Sequence, residues 1–387
     1  MGHVISGYSI VGQDASAVHL LIQKACLHVK KSYLSRFRYA ALAIWLSLPS
    51  GAVLVKAQSS TGAEYAKRAA QLLEAGDLKG AEAEMRRAVE LAPRDPQYHM
   101  RLGVILAMQR RRAEAAGSFE SALALDPDNL AVRRNLATTQ WQMGRLAAAQ
   151  ENLELVLKAD PRDTQSLLVL SSVLIDARRY AAALAVAQTT VEAAPSSYRA
   201  FAVKGMAEMR MQRYTDSAKS YARAAELNPN AAEVNLGLAM SLWAAGHIAE
   251  SFATFEQGLK RFPGDAYHCV EYGRLLLKSA KPNDSTTETR AIALLQTALK
   301  LKPVLPEAHY LLGDLALRRG KPEEALVDLE QAVKLDPEGT KIHFALFRTY
   351  RRLGRKEEAA REEEAFQKLK VKEEAALATP LLVSGLD

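Results

Sequence analysis

The sequence predicts an all-α chain, a tandem array of about nine helix-turn-helix hairpins. Three observations predict it: a proline that returns every 34 residues, small residues that return in phase with it, and a composition poor in strand formers. A fixed period of that length reads as one two-helix unit per repeat.

The prolines come first. Pro93, Pro127, Pro161, Pro195, Pro229 and Pro263 stand 34 residues apart, Pro303 follows after 40, and Pro337 after another 34. Each lacks a backbone donor and restrains the residue before it, so a helix ends at the same point of every unit.

With each proline counted as position 32, position 8 reads Ala69, Gly103, Ala137, Ser171, Gly205, Ala239, Gly273 and Gly313. Position 20 reads Ala81, Ala115, Ala149, Ala183, Ser217, Ser251, Ala291, Ala325 and Ala359, and position 27 is also small, from Ala88 to Ala332. Small residues there let two helix backbones approach closely. Larger residues between them, such as Leu102, Leu106, Phe119, Leu153, Tyr221, Phe255, Leu295 and Leu329, follow helical spacing and define the buried stripe. Turn signals fall near position 15, at Gly76, Gly144, Gly246, Gly320 and Gly354.

This skeleton resembles the tetratricopeptide repeat family, over about residues 62–371. The resemblance implies a right-handed superhelical solenoid, with hairpins at 62–95, 96–129, 130–163, 164–197, 198–231, 232–265, 266–305, 306–339 and 340–373, then a tail at 374–387. Departures are specific. The family's frequent Trp at position 4 is replaced, by His99, His309 and His343 among others. The seventh hairpin carries six extra residues, expected as a polar loop at 281–290. The ninth has Phe347 and Phe366 at small-residue positions, and its charged last helix from Lys356 reads as a cap.

Upstream, residues 1–57 read as a leader. Lys30, Lys31, Arg36 and Arg38 precede an apolar run from Tyr39 to Val55, and Val55 and Ala57 are small residues before Gln58. That is the layout of a secretory signal. Export to a bacterial periplasm or beyond is the expectation, with an inner-membrane anchor at 39–55 as the alternative. No Met lies between Met1 and Met85, so the true start is expected either at Met1 or near Val29. The net charge of +7 resides mostly in this leader, which holds +5 of it. The rest is nearly neutral and offers no general electrostatic reason to bind nucleic acid.

Nine units fill almost everything after Ala57, which leaves no segment for a separate catalytic domain. No phosphate-binding Gly-rich loop, HExxH or CxxC occurs. Cys26 and Cys269 have no zinc-ligand spacing. The sequence therefore predicts no enzyme, no cofactor and no metal. Glu362, Glu363 and Glu364 read as a solvated helix face.

By resemblance, positions 2, 5, 9, 12 and 13 of each first helix line a concave groove that takes a protein or peptide segment. The middle repeats place Met100, Val104, Trp141, Met206, Met209, Met240 and Trp243 there, an adaptable apolar surface. Trp141 and Trp243 read equally as packing residues. The later repeats add Arg274, Lys278, Tyr310, Arg318 and Arg348, a basic surface interleaved with aromatics. One family subclass grips a C-terminal carboxylate with Lys, Asn and Arg at positions 5 and 9. Pairs such as Leu168/Ser172 and Leu236/Met240 do not supply that clamp. The expected function is an exported interaction scaffold. The alternatives are an assembly factor of a secretion, pilus or polysaccharide-export complex, and the targeting half of a glycosyltransferase or protease.

Overall fold

The computed structural model describes residues 50–280 and 284–378, and among them every regular element is an α-helix. The described residues divide into two compact units on either side of the boundary between residues 211 and 212.

Unit 1 holds α1 (Ser50–Glu74), α2 (Leu78–Leu91), α3 (Pro96–Met108), α4 (Arg112–Leu125), α5 (Leu130–Gln142), α6 (Leu146–Ala159), α7 (Thr164–Asp176), α8 (Tyr180–Ala193) and α9 (Tyr198–Arg210). Successive helices pack against one another, as in a stack of hairpins. Two polar devices repeat at the joints. A capping side chain precedes four of the first helices: Asp95, Asn129, Asp163 and Ser197 accept from the backbone N–H of Gln97, Val132, Ser166 and Ala200. These bonds satisfy helix-end donors that have no partner inside the helix. Inside each hairpin the turn uses one left-handed residue. Gly76 and Gly144 supply it freely, but Arg110 (φ 63°) and Arg178 (φ 58°) adopt it too, at positions where no glycine marks the turn.

Unit 2 holds α10 (Tyr214–Leu227), α11 (Ala232–Ala244), α12 (Ile248–Arg261), α13 (Ala266–Ser279), α14 (Ser285–Leu301), α15 (Pro306–Arg318), α16 (Pro322–Leu335), α17 (Thr340–Arg352) and α18 (Lys356–Ala378). Here too consecutive helices pack together.

The small-residue positions are where backbones meet. Ala69, Ala81 and Ala88 in unit 1, and Ala239, Ala291 and Ala298 in unit 2, are fully buried. Where the small residue is polar it satisfies itself: Ser251 Oγ donates to the Ala239 carbonyl at 2.7 Å, and Ser171 Oγ to that of Leu167 at 2.8 Å.

One expectation changes, that of the loop at 281–290. Residues 1–49 of the leader at 1–57 lie outside the described residues. Helix α1 starts at Ser50, so the backbone is helical from there into the first hairpin. The insertion in the seventh hairpin is not a loop throughout. Residues 281–283 lie outside the described residues, but Asp284 caps α14 through the Thr287 N–H at 3.0 Å, and 285–290 extend that helix. Arg319 ties this extension to α15 through Glu288 at 2.6 Å. At the ninth hairpin Phe347 and Phe366 enlarge the helix contact by an aromatic group, with Phe344 ring centroids 6.3 and 5.0 Å from theirs.

The cap of α13 carries a pH dependence. Asp265 accepts from the Tyr267 N–H at 2.8 Å and lies 3.1 Å from His268 Nδ1. Burial by itself raises the Asp265 carboxyl, but the adjacent His268 ring and two backbone N–H groups outweigh it and hold it below its ordinary value. A carboxylate lowered by folding stabilises above its unfolded value, and that stabilisation is lost as pH falls through the folded one. Acid unfolding of wild type is therefore expected to steepen below about pH 4. In Asp265→Asn that added steepness disappears, which melts between pH 6 and pH 2.5 read directly. Parallel acid slopes in the two proteins contradict the assignment.

Candidate partner-binding surface

The first helices place the predicted residues on a common register, and the two units treat them differently. In unit 1, Met100 and Val104 on α3 are half-buried and rest on the core of Leu102, Ile105, Leu106 and Phe119. Met206 on α9 is half-buried against the core that includes Leu170, Val203 and Ala207, and Met209 is also half-buried. Trp141 is 9% exposed, and its Nε1 donates to Asp176 Oδ2 at 2.7 Å. This tryptophan is a packing residue that locks α5 to α7, rather than open groove wall. Position 12 turns toward the next hairpin elsewhere as well: Ile175, Leu277 and Leu317 are buried.

In unit 2, Met240 and Trp243 on α11 are half-buried against the core built around Phe255, Tyr272, Leu276 and Leu295. The predicted basic surface is largely neutralised. Arg274 donates to Glu271 Oε2 at 2.8 and 2.5 Å. Burial pushes the Glu271 carboxyl up from its ordinary value, against the pull of Arg274. Arg318 and Arg348 share Asp314, at 3.2 and 3.8 Å. Lys341 pairs with Glu307, and its Nζ lies 4.7 Å from the Tyr310 ring centroid. Burial first, and then the charges of Asp314 and Glu307, push the Tyr310 hydroxyl up to about 12, so it stays a neutral donor. Lys278 is the exception: it is exposed, and its Nζ sits 4.5 Å from the Trp243 ring centroid.

Two of these carboxylate partners were readable beforehand. Glu271 lies three residues before Arg274, and Asp314 four before Arg318, the spacings at which helical side chains meet. Glu307 and Lys341 share one repeat position, 34 residues apart. Attention to cations alone hid them. His309 and His343 hydrogen-bond to Asp328 and Glu362 on the second helices of their hairpins, which makes them bracing residues. Among the described residues no group of three or more His, Cys, Asp or Glu is arranged to hold a metal ion, and no helix is long and apolar enough to cross a membrane.

Stacked hairpins that present one register of half-buried apolar and charged side chains define a helical-repeat protein-interaction scaffold. The chain belongs to the tetratricopeptide repeat family. One model of that family matches residues 67–129, 203–266, 289–340 and 316–370, together more than half of the chain, and a second matches 106–167. A tetratricopeptide repeat protein from Parabacteroides merdae shares the fold, at a TM-score of 0.51 and 18% identity, over 75% of this chain and 99% of its own. Two curated relatives are peroxisomal targeting signal receptors. The one from Eremothecium gossypii is 27% identical over 57% of this chain and 38% of itself. The one from Candida albicans is 24% identical over 68% of this chain and 44% of itself. The chain thus spans less than half the length of either receptor.

Proposed function

We propose that this chain is an exported interaction scaffold that acts by holding a segment of another protein and catalyses no reaction itself. The observation that carries the reading is the half-buried apolar residues at groove positions within each unit, Met100, Val104 and Met206 in unit 1 and Met240 in unit 2, each backed by core and each still partly open to solvent. Methionine packs against varied shapes, which suits a surface that must accept a partner segment. The names of the two curated relatives, receptors for a targeting signal, support segment recognition as the mode. The charged and apolar stretch at 30–57 is the basis for export.

The partner is obtained by crosslinking in the native cell, and its binding segment is then synthesised. Changing Met206 and Met209 of unit 1 together to Asp places charge on the apolar positions of that unit, and affinity for that segment is expected to fall at least tenfold. Unchanged affinity refutes the site. Export is read separately: N-terminal sequencing of the mature protein is expected to begin at Gln58, and a cytoplasmic pool with an intact leader overturns that part.

A further inference from the structure

Trp141 and Trp243 occupy the same place in their hairpins, position 12 of the third and sixth repeats. In unit 1 the indole N–H of Trp141 has an acceptor, Asp176, at position 13 of the following hairpin. In unit 2 the corresponding residue is Lys278. A donor stands where the other unit supplies a carboxylate. The consequence is visible in the structure: Trp243 Nε1 is shielded from solvent and has no acceptor among the described residues. The Lys278 ammonium has moved onto the face of the same indole, 4.5 Å from its centroid, and forms no ion pair among the described residues. The other predicted cations of this face, Arg274, Arg318 and Arg348, each have a carboxylate partner.

Two donors converge here without an acceptor. A carboxylate is acceptor-only and has two oxygens, so one group satisfies both, whereas a carboxamide brings further donors into the same space. We propose that Trp243 and Lys278 form a carboxylate subsite for an Asp or Glu side chain of the bound segment, which takes the place that Asp176 fills for Trp141. The proposal rests on the reading that a partner segment lies along this face. Lys278 is the exposed member and makes the first contact. Its flexible stem then swings from the ring and admits the carboxylate to the indole N–H. The subsite uses repeat positions 12 and 13, away from positions 5 and 9, where Leu236, Met240, Val270 and Arg274 stand.

The test uses the full chain with its tryptophans 15N-labelled, the Trp243 indole signal being assigned through Trp243→Phe. Three probes are titrated at constant ionic strength: Ac-Leu-Ala-Asp-Ala-Leu-NH2, its Asn counterpart with an amidated end, and the Asn counterpart with a free C-terminal carboxylate. The Asp peptide is expected to shift the Trp243 indole proton downfield in a saturable way, with at least tenfold weaker response to both Asn peptides. Lys278→Met, which keeps the stem and removes the charge, is expected to lose that preference. Lys278→Asp is expected to show the downfield shift without any peptide, because it restores the acceptor found at Asp176. An equal response to the Asp peptide and the amidated Asn peptide, preference for the free C-terminus, an unchanged preference in Lys278→Met, or no Trp243 response overturns the subsite. Methyl signals of Met206 and Met240 are followed in the same samples. If they shift while Trp243 stays silent, the subsite fails and the groove reading stands. If none of the methyl or indole signals moves, both fail.

Discussion

Replacing Phe255 with alanine is expected to cost unit 2 about 3–5 kcal/mol, the range for emptying a large aromatic from a packed core. Phe255 is fully buried. Its ring stacks on Tyr272 with centroids 5.1 Å apart and planes within 1°, and meets His268 edge-on at 6.4 Å. Aromatic pairing adds about 0.5–1.5 kcal/mol beyond the area buried, so the loss belongs at the upper end of that range. The site is poorly able to collapse. Tyr272 is held in place by its hydroxyl, which donates to Glu256 Oε1 at 2.6 Å. Since repeats couple mainly to their neighbours, the damage is expected to be local. Native-state hydrogen exchange should show amides of α12 and α13 losing protection first, while those of α3 to α5 change little. A loss below about 1 kcal/mol in denaturant titration contradicts this account of the core.

Gly103→Ala is expected to destabilise unit 1 by up to about 2 kcal/mol, against the helix-propensity rule. In an ordinary helix interior that change gains about 0.8–1 kcal/mol. At Gly103 a Cβ would lie 2.7 and 2.8 Å from two carbons of the Phe119 ring, and that ring is buried and has nowhere to go. Overpacking costs about 1–3 kcal/mol, which outweighs the propensity gain. Gly117 on the adjoining α4 is the control. Nothing lies within 4 Å of its added Cβ, so Gly117→Ala should stabilise by about 0.5–1 kcal/mol. Denaturant titration of the two variants side by side should give opposite signs. The same sign in both would show that close helix approach is not what glycine provides at position 8.

These positions show how legible the fold was. The prolines and small residues recur at a fixed period because each hairpin solves the same packing problem, so the hairpin fold could be read without coordinates. Turn glycines were less complete as a signal: Arg110, Arg178 and Gln212 take the left-handed conformation without announcing it. A residue of any type can be held there once the flanking helices are fixed by burial, and that decision is tertiary. The helical extension at 285–290 was misread for a similar reason, since its stability comes from the Asp284 cap and the Glu288–Arg319 pair rather than from an apolar stripe.

The candidate site was less legible than the fold. Register placed Trp141 and Trp243 in equivalent positions but left both packing and groove open. The structure separates them by what the next hairpin offers, Asp176 in one case and Lys278 in the other. The basic character expected of Arg274, Arg318 and Arg348 was an effect of counting cations, and the interleaved carboxylates Glu271 and Asp314 remove most of it.

The sequence by itself determined that this chain is all-α and that its hairpins repeat, because periodicity is a one-dimensional property. Only the tertiary structure decided which side chains are locked and which donors remain unmatched. Those outcomes depend on partners 19 to 35 residues away, brought together by packing that no local pattern encodes.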